Sequence, residues 1–158
     1  MIEPENDAEL EPEVAQGLQW FFDQIPFNKM LGMQMTKMTK KRIEVSIEMK
    51  PELIGNFLHG ILHGGVISSL LDVAGGAIAV IGAHERIKHL DSEERAKVLS
   101  KIGTIDLRVD YLRPGKGAKF VAAARLLRTG NKVAVTRMEL HNDEGELLAL
   151  GTGTYLCG

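Results

Sequence analysis

Between Arg42 and Met49 apolar and polar residues alternate: Ile43, Val45, Ile47 and Met49 against Arg42, Glu44, Ser46 and Glu48. A period of two sends the two sets to opposite faces of a pleated strand, so the segment is predicted as a strand with one face in a core. Met33–Met38 is predicted as the strand before it, with Lys40-Lys41 as the turn. Ile102–Leu112 repeats the pattern, with Ile105, Leu107, Val109 and Tyr111 on one side and Thr104, Asp106, Arg108 and Asp110 on the other. Pro114-Gly115 ends it. Lys119–Thr129, Lys132–Asn142 and Glu146–Leu156 follow as strands, separated by Gly130-Asn131 and Asn142-Asp143-Glu144-Gly145. Gaps this short dictate antiparallel hairpins.

Elsewhere the period is helical. In Glu11–Gln24, Val14, Leu18 and Phe21 or Phe22 recur at three- and four-residue steps until Pro26 stops the run. Gly65–Gly82 carries Val66, Leu70, Val73, Ala74, Ala77, Ile78 and Ile81 at the same steps, with apolar residues on its other faces too. A helix apolar nearly all round is enclosed by protein. Its Gly75-Gly76 pair costs about 1 kcal/mol of helix propensity each, a cost expected where another backbone packs closely. Pro51–Leu62 reads as an irregular loop. Residues 84–101 form a charged insertion anchored by Leu90, Val98 and Leu99, with a helix start at Asp91-Ser92-Glu93-Glu94. About five or six antiparallel strands and one long buried helix make an α+β domain over residues 11–158, preceded by an acidic, mobile tail at residues 1–10.

A chain of 158 residues fits one domain. The net charge of −2 hides an asymmetry: six acidic groups and no Lys or Arg in residues 1–13 leave 19 basic against 15 acidic residues in the remainder. Residues 102–137 hold eight Lys or Arg against Asp106 and Asp110. That excess suits a phosphate-bearing ligand, and equally a solvated strand face. The single Cys157 rules out an internal disulfide and points to a reducing compartment, the cytoplasm by default. The acidic N-terminus lacks the features of a signal peptide, and Val66–Ala83, interrupted by Asp72, Gly75 and Gly76, is a poor membrane span. Neither nucleic acid nor membrane is expected as a partner. The five histidines are scattered and no metal-ligand spacing occurs, so neither metal nor cofactor is expected.

Two features carry chemistry. His63-Gly64-Gly65 sits where a loop feeds a helix, and the first amides of a helix are unpaired at its positive end. Glycine there lets a ligand oxygen approach, so the tripeptide is a candidate carbonyl-polarising site as well as a plain glycine-rich loop exit. Asp72 is the second: a carboxylate inside so apolar a helix is costly without a partner or a purpose, and is a candidate nucleophile or base. Eight residues separate Gly64 from Asp72, about 12 Å along one helix axis. An attacking group must come within about 3 Å of a carbonyl. If both act on one substrate, Asp72 comes from a second subunit whose helix runs antiparallel, in an obligate homodimer with two symmetric sites.

The run His63-Gly64-Gly65-Val66-Ile67-Ser68-Ser69-Leu70-Leu71-Asp72 resembles the HGGxxxxLxD signature of PaaI-type hotdog-fold acyl-CoA thioesterases. The similarity continues through Thr104–Pro114 and Gly130-Asn131-Lys132-Val133-Ala134, and covers roughly residues 25–157. Within that branch the chain is similar to the YigI-like bacterial thioesterases, which share a charged insertion before Ile102. The resemblance implies a hotdog fold, a sheet wrapped round a central helix, with two protomers joined edge to edge and room for a tetramer of two dimers. It implies hydrolysis of acyl-CoA to free acid and coenzyme A. Gly64 would polarise the carbonyl, His63 would orient the loop, and Asp72 would be the nucleophile or the base for water. Thr104 would help orient that water, although the alternation puts it on the polar face of its strand. Gly65 would border the substrate. Relatives often carry an Asn six residues before the motif histidine, where this chain has Phe57. A one-residue shift brings in Asn56, His59 substitutes, or the contact is absent. Arg108, Arg113, Arg128 and Lys132 are candidates for the coenzyme A phosphates, and each is equally a surface strand residue.

Two other readings stay open: a hotdog enoyl-CoA hydratase or dehydratase, and a non-catalytic acyl-CoA sensor. The first needs a His paired with an acid for proton abstraction. The second usually brings a DNA-binding module, for which the N-terminal region leaves no room. Val66 and Leu70, together with Trp20, Phe21 or Phe22, would line an aliphatic acyl site. With two Tyr, one Trp and five Phe there is little to stack an aryl ring, which favours medium to long aliphatic chains.

Overall fold

The computed structural model describes residues 7–158; residues 1–6, the first part of the expected acidic tail, lie outside the described residues. The helices are α1 (Pro12–Gln24), α2 (Pro26–Leu31), α3 (Gly64–Ile87) and α4 (Ser92–Leu99). The strands are β1 (Gln34–Met38), β2 (Ile43–Glu48), β3 (Ile54–Asn56), β4 (Ile61–Leu62), β5 (Gly103–Tyr111), β6 (Lys119–Thr129), β7 (Val133–Asn142) and β8 (Leu147–Leu156). Six of them form one antiparallel sheet in the order β1-β2-β6-β7-β8-β5, with β3 and β4 a separate small hairpin. The sheet wraps α3, which packs on β2, β6, β7, β8 and β5. This is the expected α+β hotdog arrangement.

Alternation decides which side of each strand meets the helix. Ile43, Val45 and Ile47 of β2 are at most 1% exposed, and Ala134, Thr136, Met138 and Leu140 of β7 are fully buried. Opposite them α3 buries Leu70, Leu71, Ala74, Ile78 and Ile81. Each large side chain so buried stabilises the fold by roughly 1.5–3 kcal/mol relative to exposure. By length and composition α3 would pass for a membrane-crossing helix. Here 61% of that apolar stretch is buried inside the protein.

Four local differences from the sequence pattern have physical causes. Pro26 does not only stop α1; as the first residue of α2 it starts a new turn, where its missing N–H costs nothing. The segment 51–62 is ordered as a 3₁₀ turn, Pro51–Leu53, and the β3–β4 hairpin. α3 continues past Gly82 to Ile87, so the insertion at 84–101 begins as its last turn, secured by Glu85–Lys88 at 2.7 Å, and resumes in α4 with Asp91 as cap. Residues 7–10, expected to be mobile, are docked. Leu10 is buried, Lys40 N–H donates to Ala8 O at 3.0 Å, Lys41 N–H donates to Asp7 Oδ1 at 3.3 Å, and Glu9 bridges Thr39.

Candidate active site

The β3–β4 hairpin delivers the chain to the start of α3 and is pinned on both sides. His63 N–H donates to Leu53 O at 2.8 Å, and Leu62 N–H to Gly115 O at 2.9 Å. His63 then caps the helix: its backbone is extended and its Nδ1 accepts the Gly65 N–H at 2.8 Å. An accepting Nδ1 carries no proton, which assigns the ring proton to Nε2. Val66 and Ile67 N–H both donate to His63 O, at 2.9 and 3.2 Å. Among the described residues this leaves Gly64 N–H as the one first-turn amide without an acceptor. It lies at the positive end of the α3 dipole, where a donor stabilises charge growing on a carbonyl oxygen. The Gly64 carbonyl is held from β5, whose Tyr111 hydroxyl donates to it at 3.0 Å. Gly55 supports the same corner: a Cβ there would come 2.7 Å from His63 Cα, so a side chain would push the cap aside.

Asp72 lies two turns further on, half-buried. Thr104 Oγ1 of β5 donates to it, 3.0 Å from Oδ1 and 3.3 Å from Oδ2. The Tyr155 hydroxyl of β8 lies 3.1 Å from Oδ1 and 3.1 Å from the Asp72 carbonyl oxygen. Each hydroxyl has one proton, so Oδ1 is the preferred acceptor and Oδ2 is the freer oxygen. Burial, and then the charge of Asp72, holds the Tyr155 phenol far above its usual range, so it stays a neutral donor. Gly75, one turn after Asp72, makes room for that hydroxyl. A Cβ there would overlap it and would stand 3.0 Å from Met138 Sδ and Thr136 Oγ1. The close approach expected at the glycine pair is thus made by side chains and not by another backbone.

Thr104 does not lie on the polar face that plain alternation assigns to it. The β5–β8 register slips between Thr104 and Asp106, leaving Ile105 as an extra residue in a bulge. One extra residue reverses the facing of everything before it. Thr104 therefore faces Asp72 on the same side as Leu107 and Val109, while Ile105 is 56% exposed.

The other candidates are more scattered. Gly65 is exposed beside the cap. Asn56 is exposed and uses Oδ1 to accept Leu58 N–H at 3.1 Å within the hairpin turn; Phe57 is 85% exposed. Arg108 pairs with Asp110 at 3.1 Å, and Arg113 with Glu146 at 3.3 Å and Leu147 O at 2.7 Å. Arg128 and Lys132 are exposed at the β6–β7 turn, beside the C-terminal end of α3, where Arg86 donates to Thr129 O at 3.2 Å. Within one chain these four cations do not gather. Val66, Leu70 and Phe22, expected along an acyl site, are buried in the core. Sequence reasoning missed Gly55, Tyr111 and Tyr155. The signal for Tyr155 was available: it follows Gly151 and Gly153 on the inward face of β8, and a buried phenol needs a partner.

With this geometry in view, the Thioesterase superfamily model matches residues 59–149, a span that includes His63, Gly64, Asp72 and Thr104. Over 138 residues the chain is 47% identical to the medium/long-chain acyl-CoA thioesterase YigI of Escherichia coli strain K12, covering 87% of this chain and 89% of that protein. A Shewanella oneidensis protein related to the thioesterase superfamily superposes with a TM-score of 0.88 at 46% identity, covering 94% of this chain and 100% of that one. The Escherichia coli PaaI protein, at 19% identity, shares the fold with a TM-score of 0.72 over 92% of this chain and 94% of its own. A family model over more than half the chain and a relative 47% identical across most of it place this chain in the hotdog-fold thioesterase superfamily.

Proposed function

We propose that the protein hydrolyses acyl-CoA thioesters to free carboxylic acid and coenzyme A, with medium to long aliphatic chains as substrates. Gly64 N–H of one protomer would polarise the thioester carbonyl, and Asp72 of the partner would drive the attack. The observation that carries this reading is a pair of leftovers. At the start of α3 one amide, Gly64 N–H, lacks an acceptor; at Asp72 one oxygen, Oδ2, is less engaged than the other. An unpaired donor and a positioned carboxylate are what addition to a carbonyl requires.

Oδ2 would either attack the carbonyl carbon or take the proton of a water that does. Collapse then breaks the C–S bond and releases the thiolate, which leaves as coenzyme A after protonation; in the direct course a water then cleaves the mixed anhydride left on Asp72, freeing the acid and restoring the carboxylate. Single turnover in ¹⁸O-water identifies direct attack followed by cleavage at the aspartyl carbonyl, because only that course puts label in the Asp72 carboxylate. Trapping an acyl-enzyme by rapid quench identifies direct attack whichever carbonyl water cleaves. His63 would serve as cap and not as an acid-base group: its Nδ1 is engaged with Gly65 N–H, which weighs against a hydratase. Buried, free Cys157 fits a reducing compartment such as the cytoplasm.

The site would require two chains, since about 12 Å of helix axis separates Gly64 from Asp72. Among the described residues strand β5 is an edge of the sheet, and it carries Thr104 and Tyr111, so pairing β5 with its copy would bring the two α3 helices together. Complementation tests this. Gly64→Pro deletes the amide donor while suiting the first helical position, and His63, at φ −64° and ψ 136°, already has the backbone that precedes proline. Asp72→Ala deletes the carboxylate. Each variant alone should be inactive, and statistical mixing should restore about a quarter of the wild-type rate, because half the dimers then carry one intact site. No recovery on mixing, with exchange of subunits verified, would refute the shared site.

A further inference from the structure

At the far end of α3 from its cap, a cavity of about 710 Å³ opens between α1, the last turns of α3 and α4. This is within the roughly 300–1,000 Å³ of small-molecule pockets. Its walls are mainly apolar, with Val14, Leu18, Trp20 and Phe21 from α1, Val80 from α3 and Leu99 from α4, and Glu11, Glu13, His84, Lys88 and Arg95 also border it. Trp20 and Phe21 are 66% and 58% exposed although they are large and apolar, and they line this space without filling it. Gly17 lies on the same wall, and a Cβ there would meet nothing within 4 Å.

We infer that this cavity receives the distal end of the acyl chain and sets the preference for chain length, an inference that rests on the thioesterase reading above. Length supports it. Val80 is eight residues beyond Asp72, about 12 Å along the axis. A fully extended chain of ~1.5 Å carbon–carbon bonds advances about 1.25 Å per carbon, so the tenth carbon or so would arrive there. Polarity supports the direction. From Asp72 towards the cap, α3 presents Ser69 and Ser68, whose hydroxyls donate to Gly65 O at 2.6 and 3.0 Å. Towards the cavity it presents Val73 and Val80, seven residues apart on one stripe and both half-buried. An apolar tail starting at the Asp72 carboxylate meets an apolar path only in the second direction. Short acyl groups would end before the cavity.

Gly17→Phe tests this without threatening the fold, because it replaces a mid-helix glycine and projects into open space. Thiol release is measured on the whole protein with butanoyl- to hexadecanoyl-CoA. Gly17→Phe should lower kcat/KM at least about 10-fold for dodecanoyl and longer chains and leave butanoyl-CoA within about twofold, with Gly17→Ala as the unfilled control. Equal loss at every length, or no loss with dodecanoyl-CoA, would overturn the inference. Trp20, the only tryptophan, gives a second readout that does not depend on hydrolysis. In stopped flow, dodecanoyl-CoA brominated on its terminal carbon should quench Trp20 saturably while the unbrominated thioester does not. Hydrolysis without quenching would overturn the tail site and leave the thioesterase reading standing. Quenching without hydrolysis would keep the tail site and overturn the thioesterase reading.

Discussion

The two ends of α3 are built by different means. At the N-terminal end, polar groups are fixed by hydrogen bonds: from strands of the wrapped sheet Tyr111 donates to Gly64 O and Thr104 and Tyr155 donate to Asp72, while the His63 cap accepts from Gly65 N–H. At the C-terminal end, surface charges do the holding. Glu11 meets Lys40 at 2.9 Å and Lys88 at 3.1 Å, Lys88 meets Glu85 at 2.7 Å, and on the side of α3 that faces α1 and α4 there is a cavity, whereas the side facing the sheet is packed. Reaction geometry tolerates errors of fractions of an ångström, whereas an aliphatic tail only needs apolar volume. The same helix therefore carries a tightly determined end and a permissive one.

The largest expected effect is at Asp72. Asp72→Asn keeps the shape and an oxygen that can still accept from Tyr155 and Thr104, but can neither attack nor take a proton. The turnover rate should fall on the order of 10³-fold on every acyl-CoA, with thermal stability little changed. A variant retaining a tenth of the rate would show that the determined end is not the reacting one. Next in size is Tyr155→Phe, which leaves Thr104 as the sole hydroxyl on Oδ1. We expect a loss in kcat of about 10-fold, with KM for long chains nearly unchanged because the tail end is untouched.

Much of the determined end was legible in the sequence, because its chemistry is local. Asp72 stands out as a carboxylate in an apolar helix, and His63-Gly64-Gly65 as a glycine pair at a helix start. What alternation could not supply is the facing of Thr104, since a one-residue bulge at Ile105 leaves no mark in a period-two pattern. Gly55 was equally hidden, because the backbone it makes room for is a residue of the next strand's exit. The permissive end was legible only in Trp20 and Phe21, which were expected along an acyl site and line the cavity. Its cavity is assembled from residues 11–21, 80–88 and 95–100, segments whose proximity no local period encodes. Periodicity does not say whether an apolar helical residue meets the core or an empty volume, so Val66 and Leu70 were expected at a ligand and Val80 was not.

One substitution at two glycines measures the same difference with opposite signs. Gly75→Ala drives a methyl group into the Tyr155 hydroxyl and should destabilise the fold by about 1–3 kcal/mol, as overpacking does, while disturbing the grip on Asp72. Gly17→Ala meets no neighbour and should stabilise by up to about 1 kcal/mol through helix propensity. Denaturant midpoints for the two variants would decide it. If both moved the same way, the contrast in packing would be lost.

The smallest effect concerns the latch that holds α1 over the cavity. The Lys40 ammonium first, then the residue's own backbone and Lys88, depress the Glu11 carboxyl from 4.5 to about 2. A carboxyl lowered on folding contributes stability that is complete above its unfolded value of 4.5 and is lost as pH falls through about 2. The pair is at the surface, so salt screens it and its effect on global stability is small. Trp20 is the sensitive reporter, because it lies on α1 and lines the cavity. Its emission should change between pH 4.5 and 2 in the wild type, and Glu11→Gln should flatten that transition while leaving butanoyl-CoA turnover at neutral pH intact. Identical emission curves for the two proteins would mean that α1 is held by Leu18 and Phe22 in the core alone. The permissive end would then owe its looseness to the cavity and not to the charges above it.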